Sequence, residues 1–159
     1  MKLYIQQRLF SFRDRFDIYD ENYEPVYSVE GELFSLTHNL HVYDADNNEA
    51  AFLEKKFLSF LHRFTIQIPG LEPVEVTKEF SFFRPRYRIE GSDWRLEGDI
   101  FAHEYQLVSG NRPVLSITKK WLSWADSYEL DIPDEEDALL ALCIVLCVDA
   151  VLDTERSSN

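Results

Sequence analysis

Glycine is scarce in this chain. Five residues in 159 leave no glycine-rich loop able to cradle a phosphate. Cysteine is scarcer, with Cys143 and Cys147 alone. They stand four apart in one apolar segment, where a helix would stack them on one face without good disulfide geometry. Two buried small hydrophobes is the expectation, and with no disulfide framework the chain is expected in the cytoplasm. The opening Met1-Lys2-Leu3-Tyr4-Ile5-Gln6-Gln7-Arg8 turns polar too soon for a secretory signal. Cations are few, 16 against 29 acids for a net charge of −13. That argues against broad binding to nucleic acid and weakens any strongly basic membrane-facing surface. The longest apolar run, Ala138 to Val148, is far short of the roughly 20 residues of a transmembrane span. The acidic run from Asp126 to Asp137 lacks the spacing and the glycine of a calcium loop.

Aromatics, by contrast, are plentiful: three Trp, eight Tyr and twelve Phe, residues that pack well on a pleated surface. They recur. Residues 7–18, 55–66, 78–89 and 119–130 align without gaps, and weaker copies occupy 33–42 and 100–107. A large residue follows a central polar triplet in each copy: Phe16, Leu40, Phe64, Tyr87, Tyr105 and Tyr128, at steps of 24, 24, 23, 18 and 23. Apolar residues alternate around the marker, as in Phe10, Phe12, Phe16, Ile18, in Leu58, Phe60, Phe64, Ile66 and in Leu122, Trp124, Tyr128, Leu130. Period two predicts strands with one buried face. The triplets Arg13-Asp14-Arg15, Leu61-His62-Arg63, Arg84-Pro85-Arg86 and Ala125-Asp126-Ser127 read as tight turns or sharp bends. Longer turn signals separate the copies at Asp20-Glu21-Asn22, Asp44 to Asn48, Pro69-Gly70, Gly91-Ser92-Asp93 and Ser109-Gly110-Asn111. Six repeats of two strands predict an antiparallel meander of about twelve, closed into a barrel to hide its edges.

A barrel that wide needs a filling. After Ile132-Pro133, Asp134 is placed to cap a helix whose body from Ala138 to Val148 is apolar all round, the mark of a helix buried on every side. From Ala138 to Leu152 it would run roughly 22 Å at about 1.5 Å per residue, matching strands of about 20 Å. Burying its side chains contributes on the order of 20 kcal/mol before entropy. The expectation is one domain over residues 1–159, with strands between 2 and 132 and a central helix over 134–153. Asp149 interrupts the apolar run. It reads either as the point where the helix meets water or as a buried anchor, with an arginine expected as its partner.

The set Leu3-Tyr4-Ile5-Gln6-Gln7, Phe10-Ser11-Phe12-Arg13-Asp14-Arg15-Phe16, Val29-Glu30-Gly31-Glu32-Leu33-Phe34-Ser35-Leu36, Ile89-Glu90-Gly91, Lys119-Lys120-Trp121-Leu122-Ser123-Trp124-Ala125-Asp126-Ser127-Tyr128-Glu129-Leu130 and Asp149-Ala150-Val151-Leu152 resembles the LURP-one-related family, within the tubby C-terminal-like fold. The resemblance spans almost the whole chain. It implies a closed barrel of twelve strands threaded by a central helix. It also implies kinship with tubby proteins, which bind phosphoinositides through basic surface residues, and with phospholipid scramblases.

Candidate chemistry is thin. Arg84, Arg86 and Arg88 alternate around Pro85, which would aim all three at one anion or lipid headgroup. The alternative is a solvated outer face paired with acids such as Glu79, Glu90 and Glu97. His38, His62 and His103 fall at or near one repeat position, so a barrel spreads them around its ring instead of converging them on a metal. Ser11, Ser35, Ser59 and Ser123 recur by the same logic. No catalytic set, metal site or cofactor is expected. The functional expectation is a non-enzymatic binding module engaging a protein partner or an anionic lipid headgroup, cytoplasmic or peripheral at a membrane. A small-ligand carrier and an oligomeric scaffold are the alternatives.

Overall fold

The computed structural model describes residues 1–6, 15–32, 38–56, 59–122 and 125–157. Twelve strands are assigned: β1 (Lys2–Gln6), β2 (Phe16–Tyr19), β3 (Pro25–Gly31), β4 (Leu40–Asp44), β5 (Glu49–Lys55), β6 (Arg63–Gln67), β7 (Val74–Glu79), β8 (Arg86–Glu90), β9 (Trp94–Asp99), β10 (Glu104–Ser109), β11 (Arg112–Leu122) and β12 (Ala125–Asp131). A 3-10 turn over Glu135–Asp137 leads into α1 (Ala138–Ser157). Five of the six repeat markers stand in the first two residues of an even-numbered strand and the sixth, Tyr128, in the middle of β12; all pack in the core.

The sheet order is β8-β7-β6-β5-β4-β3-β2-β1-β12-β11-β10-β9. The first strand therefore pairs with the last, from Lys2↔Asp131 to Gln6↔Ser127. Met1 and Ile132 prolong that ladder through Ile132 N–H to Met1 O at 2.9 Å and the Met1 ammonium to Ile132 O at 3.1 Å. The result is a nearly closed antiparallel barrel. Its seam lies between β8 and β9, consecutive strands with no ladder between them among the described residues.

Inward residues of each hairpin pack on the helix in one core, for example Leu3 and Ile5, Leu40 and Val42, Phe64 and Ile66, Leu115 and Ile117. Within α1 every residue from Ala141 to Val148 is fully buried, so the helix fills the bore. Asp134 accepts a hydrogen bond from Glu136 N–H at 3.1 Å, capping the 3-10 turn. The α-helix itself begins at Ala138 and continues to Ser157.

Two expectations need correction. The polar triplets are not whole turns: Arg63 and Arg86 open their strands, and Ala125-Asp126-Ser127 lies inside β12. Nor does the buried alternation of the second repeat reach back to Phe60. β5 and β7 stop at Lys55 and Glu79, so Phe60, Phe80 and Phe82 stand beyond the rim and are exposed. Phe10, Phe12, Leu58 and Trp124, the serines Ser11, Ser35 and Ser123, and the turn residues Arg13 and Asp14 lie outside the described residues.

Candidate functional site

The meander sorts its connections into two ends of the barrel. The connections that lead from an even strand to an odd one, together with 132–137, carry Asp20, Glu21, Glu24, Asp46, Glu72, Asp93, Asp134, Glu135, Glu136 and Asp137 and no Lys or Arg. The described residues of the odd-to-even connections carry Arg15, Lys56 and Arg84 against one acid, Glu32. α1 emerges at that end and adds Asp153, Glu155 and Arg156, so one end is strongly acidic and the other, among the described residues, close to balanced.

The less acidic end is also aromatic. Phe60, Phe82 and Phe83 are 95%, 84% and 95% exposed, and Phe80 and Phe101 are exposed too. Phe80 and Phe82 meet edge to face with centroids 5.0 Å apart. The β5–β6 and β7–β8 connections are neighbours in the sheet, and Lys78 N–H donates to His62 O at 2.8 Å to hold them together. Exposed apolar side chains gathered in this way usually mark an interaction surface.

The three candidate arginines separate. Arg86 and Arg88 lie on the outer face of β8, while Tyr87 and Ile89 turn toward the core. Arg84 precedes the strand, in the aromatic connection. Arg88 is engaged, its Nε 2.8 Å from Glu90 Oε1 and its Nη1 3.7 Å from Glu79 Oε1; Glu97 pairs instead with Arg95 at 3.1 Å. The seam beside them opens as a cleft of about 340 Å³. Arg86, Arg88, Arg95 and Glu79 line it with Tyr87, Ile89, Trp94 and Leu96. Lys78 faces the other way and pairs with Glu155 of α1.

Asp149 is buried, 4% exposed, and among the described residues its close contact is a histidine where an arginine was expected. His103 Nε2 approaches Asp149 Oδ1 at 3.4 Å. The backbone explains the reach: His103 sits at φ 55°, in the left-handed region, where the tight β9–β10 connection folds its ring inward onto Tyr128 at 4.3 Å between centroids. The approach falls short of an aligned hydrogen bond, since neither Asp149 oxygen meets an aligned donor among the described residues. Burial pushes the Asp149 carboxyl up, against the opposing pull of His103 and Arg156. Burial, with Asp149 adding to it, also pushes the Tyr105 phenol well up. The hydroxyls of Tyr87 and Tyr105 are buried without a partner among the described residues. Phe16, Leu40 and Phe64 of the first three repeats give way to Tyr in the last three, and that change supplies the polar surroundings of Asp149.

No group of three or more His, Cys, Asp or Glu among the described residues is placed to hold a metal ion. His38 is exposed, His62 half-buried and His103 buried in three different connections.

The LURP-one-related family model matches residues 1–149. The chain belongs to the LURP-one-related family. It is 40% identical to the uncharacterized protein YxjI of Bacillus subtilis (strain 168) over 159 residues, covering 100% of this chain and 98% of that one. Its fold is similar to the crystal structure of an Arabidopsis thaliana protein, AT5G01750, with a TM-score of 0.64 and 16% identity over 94% of this chain and 90% of the other. None of these descriptions names a catalytic activity or a partner. Among the described residues of this LURP-one-related chain, no helix is long and apolar enough to cross a membrane.

Proposed function

We propose that this LURP-one-related protein is a non-enzymatic binding module that docks its aromatic end onto an anionic membrane surface. The observation that carries the reading is the exposed phenylalanine group of the β5–β6 and β7–β8 connections, with Arg84 beside it. Aromatic side chains enter the headgroup region, and a neighbouring cation adds attraction to acidic lipid. The ten acids of the opposite end orient the approach, because an anionic surface repels that end and turns the other toward itself. Net charge alone argues against membrane binding, but its distribution favours one face. On this reading the protein is cytoplasmic and peripheral at the inner leaflet.

Flotation with vesicles of phosphatidylcholine, with and without phosphatidylserine, tests this. Binding that needs phosphatidylserine, weakens with salt and falls about tenfold or more in Phe82→Ala/Phe83→Ala supports it, since each buried Phe contributes about 1.5–3 kcal/mol. No flotation on either vesicle refutes it and leaves a protein partner for the same patch.

A further inference from the structure

The seam is the one place among the described residues where two strand edges face each other unpaired. The backbone shows which groups β8 offers there. Lys78 N–H is committed to His62 O on the β6 side at 2.8 Å, so Lys78 and its partner Tyr87 form a non-hydrogen-bonded pair of the antiparallel ladder. Tyr87 therefore turns its N–H and C=O away from β7, into the seam, and Ile89 does the same two residues on. An open edge presenting such groups is a template for another strand.

The flanking side chains say which kind. In a chain of net charge −13, the cleft carries three arginines and one glutamate. Arg86 has no ion pair among the described residues, whereas Arg88 and Arg95 are each matched by acids. The floor is apolar, with Tyr87, Ile89, Trp94 and Leu96. At about 340 Å³ the cleft lies within the usual ligand-pocket range of about 300–1,000 Å³.

We propose that the seam binds an extended acidic peptide segment of a partner protein by strand addition along β8. Main-chain hydrogen bonds to Tyr87 and Ile89 set its direction, apolar side chains lie on the cleft floor, and alternate carboxylates reach Arg86. This rests on the seam and not on the aromatic end, so it stands or falls separately from membrane docking.

The test titrates the full-length protein with a synthetic octapeptide of alternating Glu and Val, and follows amide hydrogen exchange residue by residue. Exchange at Tyr87 and Ile89 is expected to slow while the other core strands stay unchanged. A peptide N-methylated at alternate residues should fail to do this, and Arg86→Glu should weaken binding about fivefold or more. Equal binding of the N-methylated peptide would overturn strand addition. So would no change at these two amides, or protection brought by phosphatidylserine vesicles or by raised protein concentration in the absence of peptide.

Discussion

Asp149 and His103 meet inside the barrel mouth, Oδ1 to Nε2 at 3.4 Å, the helix supplying one and the shortest described odd-to-even connection the other. The pair ties α1 to the end of the barrel next to the seam.

A pH dependence follows from Asp149. Burial raises its folded-state pKa above the ordinary value of 3.8. The unfolded chain therefore loses this proton first as pH rises. Stability from this group is complete below the unfolded value and is lost progressively until the folded value is passed, then stays level. Asp149→Asn removes that loss. Melting scans from pH 3.5 upward should show the variant gaining on the wild type across that window, and a constant difference would contradict the assignment.

His41 behaves differently. Its two nitrogens lie 2.8 Å from Glu49 and 2.9 Å from Glu32, linking β5 to the end of β3 across β4. Partial burial lowers the imidazole pKa, but hydrogen bonds and charge from Glu49 and Glu32 outweigh this and raise it above 6.5. Stability from the pair of contacts is complete below the unfolded value and is lost as pH rises through the folded one. His41→Gln should therefore melt lower than the wild type at pH 5.5 and approach it by pH 9. A gap that widens with pH would be the wrong sign.

Both cysteines sit fully buried in the bore, and burial drives their thiols well up. The thiolate is the reactive form. Iodoacetamide should leave the native protein unlabelled and react only at the rate of large-scale opening, which denaturant titration measures independently. Rapid labelling of either cysteine would place it outside the barrel.

Gly98 and Gly110 share positive φ but not surroundings. At Gly98, φ is +116° and an added Cβ would lie 2.6 Å from Glu104 O and 2.8 Å from Tyr105 Cα, both main chain. At Gly110, φ is +58° with nothing within 4 Å. Gly98→Ala should cost about 2 kcal/mol or more, strain and overlap together, and Gly110→Ala about 1 kcal/mol. Urea titrations of the two variants decide the order.

Local pattern exposed much of this fold, because alternation and turn chemistry act over a few residues. The markers from Phe16 to Tyr105 do stand at the starts of even strands, with Tyr128 further inside β12, and the all-apolar run after Ala138 does fill the bore. Pairing between distant strands leaves no such trace. Closure was expected from the need to hide edges, and the β1–β12 ladder makes it; the seam became visible only in the fold, although the short step of 18 between Tyr87 and Tyr105 falls where the ladder is missing. Alternation likewise cannot say where a strand stops. Phe60 keeps the buried parity of Phe64 and Ile66, and Phe83 that of Tyr87 and Ile89, yet both lie past the last ladder pair, so the exposed aromatic end was hidden by its own regularity. The partner of Asp149 was misjudged for a related reason: only the left-handed turn at His103 brings that ring inward.

Depth at a membrane tests the central claim most directly. With Cys143→Ala/Cys147→Ala as background, an environment-sensitive fluorophore is placed through Phe82→Cys at the aromatic end or Ser92→Cys at the acidic end. On phosphatidylserine vesicles the account predicts a blue shift at position 82 and none at position 92, both vanishing on neutral vesicles. Equal shifts at the two positions, or none at either, would contradict docking by the aromatic end.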